Sequence, residues 1–105
     1  IAAARSHGIN DIVIDPGFGF AKTREQNIES LSKLHLLQAH NVPILAGVSR
    51  KSMIYKTLNT TAQQALNGTT ALNMVSLMNG ANILRVHDVK EAMETIKLFN
   101  ELTIN

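Results

Sequence analysis

The chain has 105 residues, of which 45% are hydrophobic and 17% charged, a size and balance that suit one folded, soluble domain. Ten Lys and Arg against eight Asp and Glu leave a formal charge of +2, too small to imply a nucleic-acid partner unless the charge is clustered. Cysteine is absent, which excludes disulfides, thiolate catalysis and Cys-ligated zinc, so any metal must be held by oxygen or His.

No apolar run is long enough to span a membrane, and no cationic leader or low-complexity tract occurs. The expectation is a cytoplasmic protein with neither membrane nor nucleic acid as partner. The chain opens on Ile1-Ala2-Ala3-Ala4-Arg5, which reads as the middle of a helix, so a piece of a longer protein is expected.

In chain order, residues 1 to 7 fit the end of a helix closed by Gly8. Asp11-Ile12-Val13-Ile14 is a short β-branched run, stopped by the turn chemistry of Asp15-Pro16-Gly17. Thr23 and Gln26 form a capping-box signal for a helix with Ile28, Leu31, Leu34 and Leu37 on one stripe, ended by Asn41 and Pro43. The apolar run Ile44 to Val48 is too short for a helix and leads into Ser49-Arg50-Lys51-Ser52, a strand with a charged end. A short helical turn is expected around Met53 to Leu58. Thr60 and Thr61, with Gln63 and Gln64, offer capping boxes for a helix running to Asn79 with Gly80 as its cap. The second half of that helix, from Ala71 to Met78, is apolar nearly all round, which predicts burial on two sides and a partner subunit beyond the core. Ile83-Leu84 begins a third strand ending in Arg85-Val86-His87. Asp88 and Glu91 signal a last helix with Val89, Ala92, Met93, Ile96 and Phe99 as its apolar stripe.

Regular alternation of strand and helix predicts an α/β fold with parallel strands joined by right-handed crossovers. In such folds ligands bind beyond the carboxyl ends of the strands. The residues released there are Asp15, then Arg50 and Lys51, then Arg85 and His87. In the loop from Asp15 to Lys22, Gly17 and Gly19 allow close backbone approach, and Phe18 and Phe20 place aromatic rings beside a carboxylate. A flat nitrogen heterocycle suits that setting, because a ring can stack while Asp15 accepts paired N–H donors. Gly47 would let a planar ligand lie against its strand, and Arg85 with His87 could hold phosphate oxygens. Each residue also has an ordinary structural reading: the Phe rings packed under the loop, Arg50 and Lys51 in a solvated loop, His87 as a structural histidine. His7, His35 and His40 have no such context and read as helix-surface or helix-end residues. Taken together, the rim predicts a heteroaromatic substrate carrying phosphate.

The stretches DPGFGFAK, AGVSRKS and ILRVHDV, in this order and at these separations, resemble the C-terminal part of the dihydropteroate synthase family, the folate-pathway enzymes inhibited by sulfonamides. SRK followed by RVHDV is the most diagnostic pair. The resemblance implies a partial TIM barrel, with residues 1–105 supplying strands six to eight and their helices within a single pterin-binding domain. It implies a transferase that condenses 6-hydroxymethyl-7,8-dihydropterin diphosphate with 4-aminobenzoate, releasing diphosphate and 7,8-dihydropteroate with Mg²⁺ assisting, the metal ligand being expected outside this chain. By the same resemblance Asp15 binds the pterin edge, Gly47 lines the pocket, and Lys51 contacts both the pterin and the aminobenzoate. Phe20 and Ser52 border the aminobenzoate pocket, and Arg85 stacks on the pterin and, with His87, holds the leaving diphosphate. Lys51, Arg85 and His87 are thus the expected catalytic residues. The resemblance also implies a homodimer through the C-terminal helices, and a chain inactive without the family's other loops. Two alternatives stand beside it: a pterin-binding methyltransferase domain, and a non-catalytic anion-binding or assembly module.

Overall fold

The computed structural model describes residues 15–17 and 23–102. The expected first helix, the strand at residues 11–14, and Phe18 and Phe20 lie outside the described residues. The described part is α/β, with two short parallel strands beside several helices.

Helix α1 (Arg24–Ser32) starts where the sequence predicts, with both halves of the capping box made. The Gln26 backbone N–H donates to Thr23 Oγ1 at 3.1 Å, and the Thr23 N–H donates to Gln26 Oε1 at 2.9 Å. The helix does not continue to Asn41 as one α-helix. It gives way to a 3-10 helix (Leu34–His40) that closes on Asn41 in the left-handed conformation. The buried line is therefore Asn27, Leu31 and Leu34, spaced as consecutive α-turns on one face, while Ile28 stands 40% exposed.

Strand β1 (Leu45–Ala46) pairs in parallel with β2 (Ile83–Leu84), Leu45 opposite Ile83 and Ala46 opposite Leu84. The ladder extends past both ends. The Asn82 and Ile83 N–H groups donate to the Ile44 carbonyl, and the Arg85 N–H donates to that of Ala46 at 3.0 Å. Two side-chain amides secure the neighbouring backbone: Asn82 Oδ1 accepts the Ile44 N–H at 3.0 Å, and Asn79 Nδ2 donates at 2.9 Å to the Leu31 carbonyl at the end of α1. Such partners satisfy backbone groups that would otherwise be buried at a cost.

After β1 comes the short α2 (Ser52–Tyr55), ending earlier than the expected Leu58. The next helix differs from the sequence expectation. A 3-10 turn (Ala62–Gln64) comes first, Thr61 makes no side-chain cap, and α3 (Leu66–Met78) begins only beyond Ala65. Arg50 Nη1 donates to the carbonyls of Ala62 and Gln63 in that turn at 2.8 and 2.9 Å, and the Ala62 carbonyl also accepts the Ala65 N–H, the 3-10 pattern.

Helix α3 turns its small and polar face inward: Gly68, Thr69, Asn73, Ser76 and Leu77 are buried, and Ala71, Val75 and Met78 are exposed. Gly68 sits directly against Ile54 and Leu58, a closeness that a side chain at this position would prevent. The all-round apolar stretch is therefore buried within this chain on one side only. Helix α4 (Val89–Leu102) packs on α3 through buried Ala92 and Thr95 with half-buried Ile96 and Phe99, whereas Val89 and Met93 of the expected stripe are 64% and 52% exposed. The core joins Leu31, Leu34, Ile44, Ala46, Val48, Met53, Ile54, Ala65 and Ala81. No helix among the described residues is long and apolar enough to cross a membrane.

Candidate active site

The carboxyl ends of β1 and β2 are adjacent because the strands are parallel and in register. The residues they release line a cleft of about 120 Å³ formed by Gly47, Ser49, Lys51, Arg85, Val86 and His87. Four of the sequence-predicted residues, Gly47, Lys51, Arg85 and His87, thus meet in one place. Ser52 lies next to it as the first residue of α2, and Phe20 lies outside the described residues.

Arg85 organises the centre. The Nη2–Nε edge of its guanidinium comes against the backbone at Gly47, where a Cβ would come within 2.7 Å of Nη2 and 3.0 Å of Nε. The absent side chain at Gly47 is what allows that approach. From there Arg85 Nη1 reaches Asp15 Oδ2 at 3.3 Å, a contact between residues 70 positions apart. Asp15 is held in turn by its own loop: the Gly17 N–H donates to Asp15 Oδ1 at 2.9 Å, and Gly17 has φ of 69°, a conformation that favours glycine. The Arg85–Asp15 pair is half exposed, where the two groups keep access to water and either can exchange its partner for a ligand.

Lys51 enters from the other loop. Burial lowers its pKa from the ordinary lysine value, the nearby Arg85 charge lowers it further, and Asp15 opposes both. A partly desolvated ammonium beside a guanidinium concentrates positive charge where an anionic ligand would be favoured. The cleft therefore gathers positive charge on one wall and a single carboxylate at its mouth. That distribution suits a ligand with an anionic group and an N–H edge.

Two consecutive cross-links join the loops, and neither is legible from the local sequence. Ser49 Oγ lies 2.7 Å from His87 Nδ1 and accepts the His87 backbone N–H at 3.2 Å. One residue further on, Arg50 Nε and Nη2 each donate at 3.0 Å to the two oxygens of Asp88. The charge-assisted fork raises the pKa of Arg50 and lowers that of Asp88. Arg50 is thus not a rim cation awaiting an anion. Its backbone is left-handed at φ of 54°, and the Arg50 N–H donates to Thr69 Oγ1 at 2.9 Å. A non-glycine residue in that region is strained by about 1 kcal/mol or more, and these contacts hold it there. The partners of Ser49 and Arg50 are 38 positions away, so spacing along the chain carried no signal for them.

Among the described residues no group of three or more His, Asp or Glu side chains gathers to hold a metal ion.

Comparison with known proteins supplies the context. Over 100 residues the chain is 41% identical to the dihydropteroate synthase of Escherichia coli K12, a match that takes in 93% of this chain and 36% of that protein. In structure it resembles a dihydropteroate synthase from Coxiella burnetii in complex with pteroic acid, with a TM-score of 0.93 and 36% identity, covering 99% of this chain and 40% of the other. It also resembles the Yersinia pestis enzyme with a pterine-sulfa conjugate, with a TM-score of 0.91 and 38% identity, covering 96% and 41%. The fold agrees with the partial TIM barrel expected from the sequence. The chain spans little more than a third of the length of its Escherichia coli relative. A family model described as pterin binding enzyme matches residues 1–87, and with the cleft and the structural likeness already described, this chain belongs to that family.

Proposed function

We propose that the chain is the C-terminal part of a dihydropteroate synthase barrel, residues 1–105 contributing strands six to eight and one wall of the site. The reaction is condensation of 6-hydroxymethyl-7,8-dihydropterin diphosphate with 4-aminobenzoate to 7,8-dihydropteroate and diphosphate. The observation that carries this reading is the Arg85 guanidinium set against Gly47 and reaching Asp15, with Lys51 and His87 on the same cleft.

Asp15 accepts the N–H edge of the pterin, exchanging Arg85 for the heterocycle, while Gly47 lines the pocket beneath the Arg85 guanidinium. Arg85 then stacks on the pterin and, with His87, meets the oxygens of the departing diphosphate. Lys51 stands between the two substrates, and Ser52, with Phe20, borders the aminobenzoate. As the bond from the pterin methylene carbon to diphosphate breaks, negative charge grows on the leaving oxygens, and Arg85, released from Asp15 by the pterin, stabilises it together with His87. The amine nitrogen bonds to the same methylene carbon and afterwards releases a proton to solvent. The magnesium that the reaction is expected to use, the remaining pterin contacts and the mobile loops belong to the rest of the barrel. The enzyme is read as cytoplasmic and as a sulfonamide target. A homodimer through the C-terminal helices is part of the same proposal, supported by the exposed apolar side chains on α3 and α4.

Kinetics of the full-length enzyme test the proposal. Lys51→Ala and Arg85→Ala are each expected to lower kcat/KM by more than about tenfold, equivalent to roughly 1.4 kcal/mol of transition-state stabilisation. The 105-residue chain alone should form no dihydropteroate in the same assay. Unchanged kinetics in both variants, or turnover by the isolated chain, would overturn the assignment.

A further inference from the structure

Ser49 is 5% exposed, and its hydroxyl is engaged twice by one residue. The His87 backbone N–H can only donate, so at 3.2 Å it takes one lone pair of Ser49 Oγ. The imidazole Nδ1 lies 2.7 Å from the same oxygen, which fits an O–H···N or N–H···O hydrogen bond equally in distance. The two differ in where the serine proton goes. If Nδ1 carried the hydrogen, Oγ would accept twice and its own O–H would need a third partner from a buried position. If the serine donates to Nδ1, the Ser49 O–H and the His87 backbone N–H are both used, and the imidazole carries its proton on Nε2.

We propose that Ser49 is a positioning residue that donates its hydroxyl proton to His87 Nδ1 and thereby fixes His87 as an Nε2–H donor toward an anion at the strand ends. The Arg50–Asp88 fork, one residue further along both loops, holds the two loops at the separation the hydrogen bond needs. A histidine whose tautomer is set by a second hydrogen bond meets its ligand ready to donate, instead of dividing its population between a donor and an acceptor form. For a leaving diphosphate only the donor form helps. This inference rests on the reading of His87 as a contact of that group, and it assigns Ser49 a part in the site that does not require contact with either substrate.

The test is ¹⁵N spectroscopy of histidine-labelled full-length protein, with and without inorganic diphosphate, at a pH where His87 is neutral. Wild-type protein should show a single pattern for His87, with Nδ1 unprotonated and Nε2 protonated, and diphosphate should move the Nε2 resonance more than the Nδ1 resonance. In Ser49→Ala the His87 signals should move toward a mixture of tautomers, and kcat should fall by about tenfold with little change in KM for the aminobenzoate. A protonated Nδ1 in the wild type overturns the proposal, as does an unchanged tautomer in a folded Ser49→Ala protein. Should that variant fail to fold, the wild-type pattern decides alone. The expected tautomer in a wild-type enzyme that makes no dihydropteroate would sink the proposed reaction while leaving the Ser49–His87 coupling in place.

Discussion

Arg85 and Gly47 show how a residue with no side chain can set the position of one with a long side chain. The guanidinium rests on the strand because a Cβ at position 47 would come within 3.1 Å of Nη2, Nε and Cζ alike. In the full-length enzyme Gly47→Ala should therefore lift Arg85 away from the backbone and lower kcat/KM by about tenfold, or roughly 1.4 kcal/mol. The melting temperature should hardly change, because the displaced atoms are the movable end of a half-exposed side chain. A large thermal loss with normal kinetics would contradict this account, and steady-state kinetics beside calorimetry would expose it. Lys51, Arg85 and His87 were legible as site candidates because polar residues at successive strand ends must share one rim in a parallel α/β fold, and Gly47 because a missing side chain permits close approach. The pairing of Arg50, expected only as a charged strand end or a solvated loop residue, was not legible for a related reason. The sequence shows its charge, but its partner Asp88 is 38 positions away.

Between elements, the Arg50–Asp88 fork fastens the loop after β1 to the start of α4, while Arg50 also holds the 3-10 turn before α3 through the Ala62 and Gln63 carbonyls. One side chain thereby fixes three segments. The Asp88 carboxyl is held below its ordinary value of 3.8, chiefly by the Arg50 hydrogen bonds. A carboxylate depressed in the folded state binds fewer protons there than in the unfolded chain. Its stabilising share is thus present above pH 3.8 and is lost as pH falls through the lower folded value. Asp88→Asn in the full-length protein should lower stability at neutral pH and flatten the acid limb of a denaturation profile. An acid limb identical to wild type would show the fork to be idle. The capping signal at Thr60 and Thr61 predicted a helix start that the fold moved to Leu66, behind a 3-10 turn whose Ala62 and Gln63 carbonyls also accept from the Arg50 guanidinium. The capping box at Thr23 formed as predicted.

At the scale of the molecule, one side of α3 is committed to the core while the other leaves Val75 and Met78 exposed, and Val89, Met93, Leu98 and Leu102 are exposed on α4. If these surfaces meet a second copy in the full-length enzyme, Val75→Glu with Met78→Glu should turn a dimer into a monomer by light scattering while leaving the fold intact, since charge is costly only once the surface is covered. A monomeric wild type, or a dimer indifferent to both substitutions, would remove the proposal. By itself the sequence determined the α/β order, the two described strands, the four cleft residues and the family resemblance, because short apolar runs, turn residues and motif spacing are local properties of the chain. Only the tertiary structure decided which face of α3 is inside, that Arg50 is a clamp, that Arg85 bridges Gly47 and Asp15, and that Ser49 meets His87. Those outcomes depend on contacts between residues as far as 38 and 70 positions apart, where packing and competition for hydrogen-bond partners override local preference.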